Sequence, residues 1–236
     1  MSQTLQSQAA THPGAVRSRN EDAFVDRPEI GLWAVADGAG GHGAGDVAST
    51  AIAQALLDIP AGFSAAEMLA QVRLRLAGVH GALQVEGASR GHGIIASTVV
   101  VLLARGGHYA CLWAGDSRAY LLRAGNLTQI TRDHSLVQEM VERGELDEAA
   151  AQVHPQANII TRAIGAEGAL ELEKLSSRIQ AGDRFLLCSD GLFKALSERD
   201  IAACLAAGED PAALLDRALA RGARDNVTAV VVRAEG

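Results

Sequence analysis

The sequence predicts an α+β domain in which two antiparallel sheets pack together with helices outside them, and three observations carry that expectation. Strand-like apolar runs at 97–104, 109–114, 119–123 and 127–130 follow one another through connections too short to hold a helix, so neighbouring strands run antiparallel. The run Thr-Val-Val-Val-Leu-Leu from Thr98 does not alternate, as expected of a strand buried on both faces, against a second sheet and against a helix layer. Amphipathic stripes of helical period lie on either side of these strands and supply that layer.

In chain order, residues 14–22 form a charged cluster ahead of a short strand at 23–26, and a second apolar strand at 32–36 ends in Asp37. A helix follows, marked by Ala44, Val47, Ala48, Ala51, Ile52, Ala55, Leu56 and Ile59 and stopped by Pro60. Ser64 and Glu67 stand in capping-box spacing and open the next helix, which runs through Leu76 and Leu83 to Gly87. After the strand run the connections 105–108, 115–118 and 124–126 read as hairpins. Residues 133–165 are charged and thinly apolar, with short helices at 135–143 and 147–152, and read as a mobile flap outside the core that carries specificity. Strands at 170–178, 184–189 and 227–232 complete the sheets, with helices opened by Ser197 and by Asp210 with Pro211. Lacking repeats or linkers, residues 1–236 read as a single domain.

Composition narrows the function. A formal charge of −7 argues against a nucleic-acid partner, which calls for a basic face. The core is aliphatic, since aromatics make up 3% of the residues. Cys111, Cys188 and Cys204 lack metal or redox spacing and read as reduced core residues. No signal peptide or membrane-spanning run is visible, so a cytoplasmic protein with no membrane partner is expected.

The chemistry lies at the strand ends. Asp37 closes the apolar run 32–36 and enters a stretch with glycines at 38, 40, 41, 43 and 45. Asp116 and Asp190 close two further runs, and Asp225 with Asn226 immediately precedes another. One Asp-Gly pair alone reads equally as a tight turn. Four strand-end carboxylates gathered by a fold repel one another unless cations neutralise them, which points to a multi-metal site. An all-oxygen donor set without clustered His or Cys selects hard ions such as Mg²⁺ or Mn²⁺. Glu21 and Asp22 add adjacent carboxylates, and Arg17, four residues before Glu21, offers a planar fork for phosphate.

Six stretches in order resemble the metal-dependent Ser/Thr protein phosphatases of the PPM or 2C type, in particular compact bacterial members. They are RSRNED at 17–22, ADGAGGHGAGDVAS at 36–49, AGDSRAY at 114–120, TRAIG at 161–165, LCSDGL at 187–192 and RDNVTAVVV at 224–232. The resemblance implies a four-layer α-β-β-α sandwich with metals in a channel at one end of the sheets. It implies that Asp37 bridges two ions, that the Gly38 carbonyl and Glu21 complete the second site, and that Asp190 and Asp225 bind the first. Asp116 with Asp190 matches a third, weaker ion site. Asp22 holds water on the ions, Asn226 orients Asp225, and Arg17 grips the substrate phosphate. Animal members place a His directly after the Asp-Gly pair as a proposed acid; here Ala39 stands there, leaving His42 or metal-bound water as candidates. The expected reaction is hydrolysis of phosphoserine and phosphothreonine in proteins, opposing a Ser/Thr kinase. A phosphoprotein-binding pseudophosphatase and a small-metabolite phosphatase are the alternatives.

Overall fold

The computed structural model describes residues 4–40, 44–90 and 93–235. In chain order the elements are β1 (Leu5–His12), β2 (Asp22–Arg27), β3 (Leu32–Gly40), α1 (Gly45–Leu57), α2 (Ala65–Arg90), β4 (Ile95–Ser97), β5 (Val99–Arg105), β6 (His108–Ala114), β7 (Arg118–Arg123), β8 (Asn126–Gln129), α3 (Leu136–Glu142), α4 (Glu148–Gln152), β9 (Glu173–Arg178), β10 (Arg184–Cys188), α5 (Asp190–Phe193), α6 (Glu198–Ala207), α7 (Pro211–Ala220) and β11 (Val227–Ala234). They form two antiparallel sheets, ordered β1-β11-β10-β7-β8 and β2-β3-β5-β6-β9, with β4 paired to β3. The α+β expectation holds.

Burial follows the pattern read from the apolar runs. In β5, Val99, Val101 and Leu103 pack with Ile52, Leu56, Val72 and Leu76 of α1 and α2, whereas Val100, Leu102 and Ala104 pack with Phe185, Leu187, Val230 and Val232 of the opposite sheet. A third cluster joins the outer face of that opposite sheet to Ile201, Leu205, Leu214 and Leu215 of α6 and α7. Three apolar interfaces therefore hold four layers.

Helix starts follow local chemistry. Ser64 and Glu67 exchange capping bonds, with the Ser64 N–H donating to Glu67 Oε2 at 2.8 Å. Ser197 and Asp200 form a second capping box, and the Asp210 side chain accepts from the Ala213 N–H at 2.9 Å. Such caps satisfy N–H groups that the helix leaves unpaired.

Two features differ from the sequence expectation. β1 lies in a stretch that reads only as polar; it pairs with β11 at the edge of its sheet, and of its inward positions, Leu5, Ser7 and Ala9, Leu5 alone is large and apolar, too little to signal a strand. The connection 115–118 is no hairpin, because β6 belongs to one sheet and β7 to the other. Gly115 permits that crossing at φ +111°, where a Cβ would stand 2.6 Å from Thr98 Cβ.

Candidate metal and phosphate site

Register brings the carboxylates to one end of the sandwich. Asp22 at the start of β2 lies directly opposite Asp37 near the end of β3. The end of β10 pairs with the start of β7 at Cys188 and Arg118, and with β11 at Cys188 and Ala229, which places Asp190, Asp116 and Asp225 beside the same end. Strand ends distant in sequence thus meet where the connections carry them.

Asp37 is fixed by its backbone. Its N–H donates to Thr98 Oγ1 at 3.2 Å and its carbonyl accepts from the Thr98 N–H at 2.9 Å. Thr98 Oγ1 is in turn 2.6 Å from Ser117 Oγ, so the turn carrying Asp116 is tied to the strand carrying Asp37. The Gly38 N–H donates to the Glu21 carbonyl at 3.1 Å. A Cβ on Gly38 would lie 2.0 Å from the Gly45 carbonyl oxygen, so only a bare backbone fits between Glu21 and the start of α1.

Asp22 joins the two sheets. Its Oδ2 accepts from Ser189 Oγ and Thr228 Oγ1, each at 2.7 Å, while its Oδ1 is buried with no hydrogen-bond partner among the described residues. Burial pushes its pKa up to about 7; the two hydroxyls oppose that rise, and the charges of Asp190 and Asp225 add to it. Asp116 is likewise pushed up to about 7, by burial and then by Asp190. Asp37 is raised well above the ordinary carboxylate range by burial, then by Asp22, Asp190, Asp116 and Asp225. Each group destabilises the others' charge, as carboxylates sharing a site must.

Positive groups stand at the rim. Arg17 Nη2 donates to Asp225 Oδ2 at 2.9 Å, with both side chains substantially exposed. The Asn226 N–H donates to Asp225 Oδ1 at 3.0 Å, while its side chain bonds the loop before β2: Oδ1 accepts from the Glu21 N–H at 2.7 Å, and Nδ2 donates to the carbonyls of Pro13 and Arg19, each at 2.9 Å. Asn226 therefore positions the loop bearing Arg17 and Glu21 as well as Asp225.

The site's donors suit hard cations. They are all oxygens, Asp22 Oδ1 has no partner among the described residues, and burial followed by four neighbouring carboxylates raises Asp37. Among the described residues no three His, Cys, Asp or Glu side chains close around one point. That spread matches ions that keep several waters and take one or two carboxylates each.

Three contributors escape the sequence reading. Lys194 Nζ donates to Asp190 Oδ2 at 2.5 Å, a contact that i,i+4 spacing could have signalled. Asp46, in the first turn of α1, has a buried Oδ1 without a partner among the described residues, and its charge helps to raise Glu21, second to burial. His134, whose pKa burial lowers, accepts from the Gly115 N–H at 3.2 Å and braces the turn before Asp116. Nothing in its local sequence marks it. His80 is buried and accepts from the Gly165 N–H at 3.0 Å. His42 lies outside the described residues, and Ala39 is exposed.

The sequence model of the family described as Protein phosphatase 2C matches residues 15–229. The chain is 39% identical over 235 residues to the serine/threonine protein phosphatase PstP of Mycobacterium tuberculosis, across 96% of this chain and 44% of PstP. It therefore spans less than half the length of that relative. It is 33% identical over 241 residues to the serine/threonine phosphatase stp of Listeria welshimeri, across 97% of this chain and 95% of that one. Among solved structures, PppA, described as a key regulatory component of T6SS in Pseudomonas aeruginosa, superposes with TM-score 0.89 at 45% identity, covering 98% of this chain and 97% of PppA. The catalytic domain of PstP in complex with 2 manganese ions superposes with TM-score 0.85 at 34% identity, covering both chains fully.

Proposed function

Since the chain belongs to the 2C-type protein phosphatase family, we propose that it hydrolyses phosphoserine and phosphothreonine in proteins, opposing a bacterial Ser/Thr kinase. The observation that carries this reading is the meeting of Asp37, Asp116, Asp190 and Asp225 at one end of the sandwich, beside Arg17. Asp37, the Gly38 carbonyl, Glu21, Asp190 and Asp225 would hold two ions, Mg²⁺ or Mn²⁺. Bound there, such ions supply an activated water and neutralise charge on the phosphoryl oxygens.

The chain's own groups do the rest. Arg17, exposed and paired with Asp225, can turn its fork onto two phosphoryl oxygens. Asp22 keeps one oxygen occupied by Ser189 and Thr228 and leaves Oδ1 to accept a proton-bearing donor from the site. Ala39 offers no proton to the leaving seryl oxygen, which must take it from solvent-derived water or from His42. Residues 133–165 act as a flap that selects among phosphoproteins. Their ends are anchored by bridges between Ser135 and Ile160 and between Ser97 and Ile164, and α3 and α4 stand between those anchors.

The test is release of phosphate from a phosphothreonine peptide, in chelator and after Mn²⁺ or Mg²⁺ is restored, with a phosphorylated sugar in parallel. Peptide turnover that vanishes in chelator and returns with the ion is expected, together with much slower turnover of the sugar. Full peptide turnover in excess chelator would overturn the reading, and faster sugar turnover would reassign the substrate.

A further inference from the structure

Lys194 brings to the carboxylate end a positive charge that belongs to none of the roles above. Its Nζ donates to Asp190 Oδ2 at 2.5 Å and to Asn158 Oδ1 at 2.7 Å, so one ammonium joins α5 to the segment 133–165. The pair differs from an ordinary i,i+4 contact on a solvated helix face. The Asp190 side chain is only 16% exposed, and the acceptor on the other side of the ammonium comes from a different element.

Asp190 and Asp116 are the carboxylates expected to share a third, weaker ion. A lysine ammonium is a compact point charge with three rotatable donors, suited to stand between oxygens as a small cation does. We propose that Lys194 is the resident cation of this place, neutralising Asp190 instead of a third metal ion and, through Asn158, tying segment 133–165 to the metal-binding end. Like charges within a few ångströms repel, so an ammonium seated on Asp190 works against a further divalent ion there. The inference rests on the two-ion reading above. Two consequences follow from one residue: the ion count is lowered, and the segment is held at the site.

The experiment counts bound Mn²⁺ per chain by elemental mass spectrometry after equilibrium dialysis, for the parent, Lys194→Met and Lys194→Arg. Met removes the charge and keeps the length without adding an oxygen ligand, and Arg keeps the charge. The parent and Lys194→Arg are expected to bind two ions, and Lys194→Met a third, weaker one. Hydrogen exchange of the ion-loaded proteins is expected to quicken around Asn158 in Lys194→Met alone. Three ions on the parent, or two on Lys194→Met, would overturn the inference and leave the two-ion reading standing. Fewer than two on the parent would overturn that reading itself. Unchanged exchange around Asn158 would remove the tether.

Discussion

Arg17 and Asp225 face each other with 57% and 44% of their side chains exposed, and ion pairs in such water contribute little to stability. The guanidinium is free to exchange a carboxylate for a phosphate. Arg17→Ala should therefore lower kcat/KM by about ten- to a hundred-fold, the scale of one lost charged hydrogen bond, and leave Mn²⁺ affinity unchanged. Arg17→Lys should recover part of the loss, because a point charge cannot reproduce the fork. Steady-state kinetics on a phosphothreonine peptide with calorimetric Mn²⁺ titration checks both, and an Arg17→Ala enzyme with parental kcat/KM removes Arg17 from the site. Asp37→Asn should fail differently. It should abolish turnover together with ion binding while the metal-free protein melts no earlier than the parent, since the change relieves repulsion from Asp22, Asp190, Asp116 and Asp225. A metal-free melt well below the parent's would mean that Asp37 holds the fold together instead.

At the scale of elements, β5 is the strand on which both sheet faces depend. Leu102, 1% exposed and packed between the sheets, should cost about 2–5 kcal/mol when truncated to Ala, read as a fall in the denaturant midpoint. A loss well under 1 kcal/mol would mean that the interface between the sheets repacks easily. The same strand explains what was legible in the sequence: its unbroken apolar run announced two buried faces, and the capping residues Ser64, Ser197 and Asp210 announced their helices. β1 was silent because an edge strand with one large inward apolar residue, Leu5, shows no strong hydrophobic pattern. The crossing at 115–118 was misread because a short loop between antiparallel runs has the same length whether it turns within one sheet or passes to the next. The gathering of strand-end carboxylates was legible, as was the i,i+4 spacing of Lys194 and Asp190, whereas the Lys194–Asn158 contact joins residues far apart in sequence and no motif marks His134. For segment 133–165, exchanging Glu139 and Glu142 of α3 and Glu148 of α4 should change the ranking of phosphoprotein substrates more than turnover of a small aryl phosphate; equal losses on both would give the segment a structural role.

For the whole molecule, the raised carboxylates make stability depend on pH in a definite direction. Asp22 and Asp116 titrate at about 7 in the fold against an ordinary value of 3.8, so between those limits the folded state holds protons that the unfolded chain has released. Stability from these groups is therefore present at low pH and is lost as pH rises toward about 7. The metal-free protein should melt at a lower temperature at pH 8 than at pH 5.5, and Mn²⁺ should raise the melting temperature more at pH 8, where the carboxylates are ionised. A metal-free protein more stable at pH 8, with no greater gain from Mn²⁺, would contradict the account of the cluster. Under the proposed function, Asp37, Asp190 and Asp225 hold a pair of ions beside Arg17. The most direct test is anomalous scattering from a crystal of the Mn²⁺-loaded protein. The account predicts a pair of adjacent peaks, with Asp37 touching both and Asp190 and Asp225 on one of them; peaks located elsewhere, or none at the strand ends in a crystal that contains Mn²⁺, would contradict it.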